Sequence, residues 1–244
     1  MNDDIRNIVL GLVAAGISGS LGWLARTARW RRRLARTQDF FGLPANSQAL
    51  LVVNRQAGHD SAVRRYDVFA LLELSGLIKD CGAQMQVIWH DGAHQGVGEQ
   101  TEFCVGGPAS NVRMKAHLRT LLPGVHIATE ASGPHLNAYQ IGSEVYPADR
   151  GTEEYALLAR LTPSGQERPV FLLCGQRSIN NQAAARYLAR HHADLARTHG
   201  ADSFCLLLRV VNSEAYGPDV VELVADVTTA ARTAPAPAAA GDGN

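Results

Sequence analysis

Two short stretches of this chain carry the residue types from which a ligand site is built. Residues 104–111 (CVGGPASN) run from an apolar segment through Gly106 and Gly107 to Ser110 and Asn111, either of which can cap a helix. Residues 174–181 (CGQRSINN) repeat the plan with Gly175, Arg177 and Asn180 ahead of a long helical pattern. Glycine lets backbone and ligand approach closely, and the free N–H groups of a helix start attract anions. Arg177 adds a guanidinium suited to phosphate or carboxylate. The chemistry expected of Gly106, Gly107, Ser110, Asn111, Gly175, Arg177 and Asn180 is therefore the binding of a small anion.

Other reactive residue types group less purposefully. The segment 90–94 (HDGAH) places two imidazoles and a carboxylate after a strand but offers no further ligand, so no metal is assigned to it. His191 and His192 are adjacent on a helix and point about 100° apart, which prevents chelation. Cys81, Cys104, Cys174 and Cys205 lack metal spacing, and most lie in apolar runs where cysteine acts as a small hydrophobe. There is no Gly-x-Ser-x-Gly elbow, Walker A loop or GxGxxG motif, which disfavours hydrolase and kinase chemistry. The cofactor, if any, is left unknown.

The elements that must position the two stretches follow from periodicity. Continuous apolar runs at 47–53, 85–89, 102–105, 169–174, 204–211 and 220–227 have the length of buried strands. Helical spacing occupies 63–79, 111–122 and 182–198, while 125–129 and 138–146 read as strand or extended loop. Thr162-Pro163-Ser164-Gly165 reads as a hairpin turn between 155–161 and 169–174. Strands alternating with helices, then a strand-rich end, predict an α/β fold: a three-layer Rossmann-like sandwich with a mixed, largely parallel sheet.

The strand-GGP-x-S-N step resembles nucleotide- and nucleoside-processing Rossmann-like domains such as the SLOG, TIR and deoxyribosyltransferase-like folds. That resemblance implies a nucleotide-like ligand, and in the enzymes of those families an acidic residue against the ribose. Glu130, Glu144, Glu153 and Glu154 are the middle-region candidates for such a carboxylate, and each reads as a surface group in the sequence. A sensor or effector domain is the leading expectation. Cleavage of an N-glycosidic bond in a nucleotide such as NAD and a non-catalytic membrane scaffold are the alternatives.

Before the domain stands an apolar run, residues 8–25, about 27 Å long as a helix. Its upstream flank is slightly acidic and its downstream flank, residues 26–36, carries six arginines. This polarity predicts one N-terminal transmembrane helix, N-terminus out, with the main domain on the cytoplasmic side of the cell membrane. Residues 1–36 would be anchor and basic juxtamembrane helix, 37–230 the α/β domain, and 231–244 a disordered tail rich in Ala, Pro and Gly. Lipid is the expected partner of the arginines. Gly11, Ala15 and Gly19 at four-residue spacing allow a homo-oligomer within the bilayer. With 23 Lys+Arg against 23 Asp+Glu in 244 residues, and the basic excess next to the apolar run, the domain is not expected to bind nucleic acid.

Overall fold

The computed structural model describes residues 2–56, 59, 62–92, 98–130 and 136–235; within the first helix, side chains are described for residues 7, 10, 20 and 22–41. The elements run α1 (Asn2–Phe41), β1 (Gln48–Val53), α2 (Arg65–Asp80), β2 (Gln84–Trp89), β3 (Thr101–Val105), α3 (Val112–Leu121), β4 (Val125–Ile127), β5 (Tyr139–Ile141), β6 (Glu144–Tyr146), β7 (Glu153–Leu161), β8 (Val170–Gly175), α4 (Ser178–His199), β9 (Phe204–Val211), α5 (Ser213–Tyr216), β10 (Val221–Asp226) and α6 (Thr228–Arg232).

Seven strands form one mixed sheet in the order β10-β9-β7-β8-β3-β1-β2. β2, β1, β3 and β8 pair in parallel, whereas β7 is antiparallel to both β8 and β9, and β10 is antiparallel to β9. Only β7 and β10 therefore point against the rest. The expected hairpin is present, with Leu161 opposite Val170 across its turn.

Successive residues of each central strand face opposite layers, which is why both sets are apolar. Leu51, Phe103, Phe171 and Leu173 pack with α2, α4 and the end of α1. Leu50, Val52, Cys104 and Leu172 pack with α3, α6 and the small antiparallel sheet β4-β5-β6. The result is a three-layer Rossmann-like α/β sandwich. The ambiguous stretches 125–129 and 138–146 become the small sheet, held to the second layer by Tyr139, whose hydroxyl donates to the Cys174 carbonyl at 2.7 Å.

α1 is continuous through the basic segment and enters the core at its C-terminal end. Phe40, Phe41 and Leu43 are fully buried, and each phenylalanine contributes about 2–3 kcal/mol of burial. The last carbonyls of a helix lack intrahelical donors. Here Arg160 Nε donates to Phe40 O at 2.8 Å, and the Thr101 hydroxyl donates to Phe41 O at 3.0 Å. The expected boundary at residue 36 thus falls inside one helix.

Among the described residues no helix is long and apolar enough to cross a membrane. Most side chains of the run 8–25 lie outside the described residues, as does most of the expected tail.

Candidate functional site

β1 and β8 send their helices, α2 and α4, to one face of the sheet, while β3 between them sends α3 to the other. Such a divergence opens a crevice beyond the carboxyl ends of the strands. A cleft of about 570 Å³ lies there, within the range of small-molecule sites. It brings the two glycine junctions together although they are far apart in the chain. Its walls include Gly107–Ser110, Gly175–Ile179, Asn54, Arg64, Asp67, Arg150, Asn181, Ser213 and Glu214.

Of the residues expected to touch ligand, Gly107, Ser110, Gly175 and Arg177 line this cleft; Gly106, Asn111 and Asn180 sit buried behind it. Gly106 has φ 120°, and a Cβ there would overlap the Asn54 carboxamide. Its role is to let Asn54 fold against the end of β3. Gly175 allows a close approach of another kind, because a Cβ would lie 2.6 Å from the Cβ of Asn180 and 2.8 Å from Arg177 O.

The two helix starts are not equivalent. Asn111 caps α3 by accepting from Met114 N at 2.8 Å and also donates to Val105 O at 3.0 Å. Val112 N–H is taken by His90 Nδ1 at 3.4 Å. The first junction therefore supplies a wall, and its helix start is closed. α4 begins four residues earlier than the helical spacing suggests, because Ser178–Asn181 are polar yet form its first turn. The Ser178 and Ile179 amides precede the first intrahelical bond, which runs from Asn180 N to Arg177 O at 3.0 Å, and both residues line the cleft. A helix of 22 residues ending there favours a negative group.

Arg177 is not the free cation that the sequence suggests. Its Nε and terminal nitrogen grip the two oxygens of Glu154, the second at 2.7 Å, and it also donates to Ser213 Oγ at 3.0 Å. Glu154 is completely buried and accepts a further bond from Ser213 Oγ at 2.8 Å. The expectation of Glu154 as a surface carboxylate is corrected: it ties β7, the β8–α4 junction and the start of α5 into one knot. Glu130, Glu144 and Glu153 do not line the cleft either.

Asp67 went unrecognised in the sequence; Asn54, the first residue of the polar segment 54–60 after β1, which the sequence offers as a loop over a ligand, joins it in the cleft. Asp67 stands on the stripe Asp67, Ala70, Leu74, Ile78, the buried face of α2, which is the signal that could have exposed it. Its Oδ1 accepts from Asn181 Nδ2 at 2.7 Å, and Asn181 Oδ1 accepts from Gly175 N at 2.7 Å. Burial pushes the Asp67 carboxyl up to about 6 against the opposing effects of Asn181 and Arg64. Perturbed carboxyls in clefts are characteristic of functional sites.

A second polar cluster, Glu102, Cys104 and His117, brings its ligand-type atoms within 4.8 Å of one another. Burial raises the Glu102 pKa, but His117 at 2.8 Å and the Arg113 fork at 2.8 and 2.6 Å outweigh it and hold the carboxyl low. With both oxygens committed to Arg113, this is an ion-pair network. His90 is engaged with α3 and Asp91 pairs with Arg55 at 3.2 Å, while His94 lies outside the described residues. All four cysteines are buried free thiols, and burial pushes Cys81 up to about 11 and Cys174 up to about 12.

Fold and cleft together define an α/β protein of Rossmann-like architecture with an open crevice at its strand ends. No family model, curated protein or solved structure matches the chain.

Proposed function

We propose that this protein is a sensor or effector whose cleft holds a small anionic ligand of nucleotide size. The observation that carries the reading is the open first turn of α4 facing a 570 Å³ crevice beside the β3 glycine turn. Arg64 and Arg150 at its walls favour the same sign of ligand charge. The N-glycosidase alternative, as framed on Glu130, Glu144, Glu153 and Glu154, gains no support, since none of the four lines the cleft.

The test is to denature the purified full chain and analyse released small molecules by mass spectrometry, beside a thermal-shift screen of nucleotides. Gly107→Val provides the control. A Cβ at Gly107 would meet its nearest neighbour, Gly175 O, at 3.6 Å, an ordinary contact, so the fold tolerates a side chain there. The branched methyls then occupy the crevice. The expected result is a nucleotide-induced shift in the wild type and at least ~10-fold weaker binding in Gly107→Val, about 1.4 kcal/mol. Equal affinity in the two proteins would remove the cleft from the reading.

The domain is held at a membrane, in this proposal, by the run 8–25. Leu10, Trp23, Leu24 and Trp30 stand exposed along α1, and the basic flank follows them toward the domain. The chain is expected to stay with the membrane pellet through alkaline carbonate extraction; its release to the supernatant would exclude a spanning anchor.

A further inference from the structure

Resting on that reading of the cleft, we propose that Asn54 and Asp67 determine its specificity by selecting an anion that carries N–H or O–H donors away from its charged end. Both residues line the cleft, Asn54 5% and Asp67 1% exposed. Asn54 Oδ1 and Asp67 Oδ2 are buried acceptors without a hydrogen-bond partner among the described residues. Buried acceptors are normally satisfied, so two of them lining one crevice point to donors brought by a ligand.

Their placement is imposed by other groups. Asn181 donates to the other oxygen of Asp67, and its own carboxamide oxygen is committed to Gly175 N–H, so it is held in that orientation. Asn54 fits only because Gly106 lacks a side chain. A site supported in this way is preorganised.

The cleft is thereby bipolar. The first turn of α4 receives negative charge, while Asn54 Oδ1 and Asp67 Oδ2 stand as acceptors for donors on the ligand. A bare anion satisfies one end and leaves the two acceptors at the other unpaired. A nucleoside phosphate, with amino, ring N–H or hydroxyl donors beyond its phosphate, satisfies both.

The experiment is isothermal titration of the full chain in detergent micelles with cyclic GMP, cyclic AMP and dimethyl phosphate. All three are phosphodiesters, so none titrates near pH 6. Each titration near that pH is repeated in buffers of different ionisation enthalpy. Donors facing Asp67 favour its ionised form, so binding should release protons. The other charged groups lining the cleft are Arg64 at the N-cap of α2, Arg150, Arg177 at the start of α4, and Glu214 of α5; among the described residues no histidine lines it.

At least one cyclic nucleotide should bind ~10-fold or more tightly than dimethyl phosphate, and Asp67→Asn or Asn54→Ala should remove most of that advantage. Proton release should vanish in Asp67→Asn. Proton uptake by the wild type would mean that Asp67 donates to the anion and would overturn the inference. So would affinities indifferent to both substitutions, while leaving the anion site intact. If neither dimethyl phosphate nor a nucleotide binds, the reading of the cleft fails, and this inference fails with it.

Discussion

Arg177→Ala is expected to destabilise the fold by about 3–5 kcal/mol, the usual result of removing one partner of a buried ion pair. Glu154 is left with no exposure to water and without the guanidinium that grips both its oxygens. Ser213 Oγ at 2.8 Å and Asn180 Nδ2 at 3.5 Å remain, and neither carries charge. The reciprocal change is milder. The Arg177 side chain is 32% exposed, so in Glu154→Ala it can turn toward the solvent in the cleft. Urea denaturation of the two single variants and the double variant measures the asymmetry. The double variant should lose less than the sum of the singles, because neither charge is then stranded. A loss below about 1 kcal/mol in Arg177→Ala would mean that the pair contributes no more than a surface bridge. Reduced ligand binding by this variant is therefore weak evidence of contact with ligand, unless its folded fraction is measured as well.

Asp67→Asn is expected to act in the opposite direction and to stabilise the protein at neutral pH. The folded state raises this carboxyl from 3.8 to about 6 because burial penalises its charge. Above about pH 6 the carboxylate is ionised in both states, and the full penalty of about 3 kcal/mol applies. Between pH 6 and 3.8 the folded state holds the proton more tightly than the unfolded state, so stability rises as pH falls. Below 3.8 both states are protonated and no penalty remains. The variant should gain up to about 3 kcal/mol near pH 7, with the advantage fading to nothing by about pH 4. Chemical denaturation at several pH values checks both size and sign. A pH-independent difference would show that the gain does not come from the buried charge. The asparagine oxygen can still accept from Asn181, so the link between α2 and α4 survives the change. A substitution that raises stability while lowering affinity is the signature of a group retained for function.

Much of the scaffold was legible before the fold. The apolar runs became β1, β2, β3, β8, β9 and β10. β1, β3, β8 and β9 are apolar at consecutive positions because both their faces are covered, whereas β2 and β10, expected to be buried, are the largely exposed edges of the sheet. The turn at 162–165 announced its hairpin through proline and glycine, and Asn111 announced the start of α3 by its capping chemistry. The first turn of α4 was not legible. Ser178, Asn180 and Asn181 are polar and read as loop, yet Asn180 and Asn181 are buried by bonds to Arg177 N and Gly175 N.

What the sequence determined by itself was local: which segments bury both faces, where chains turn, and which strand ends feed helices. Only the tertiary structure decided that β3 and β8 are neighbours, and hence that the two glycine junctions share one crevice. It also decided that α3 is closed and α4 open, that Arg177 belongs to Glu154, and that Asn54 and Asp67 reach the same cleft. The physical reason is that periodicity records how much of each residue is buried, not against what. A glutamate at the head of an apolar run and an aspartate on the inner stripe of a helix acquire their partners only when distant strands pair and close over them.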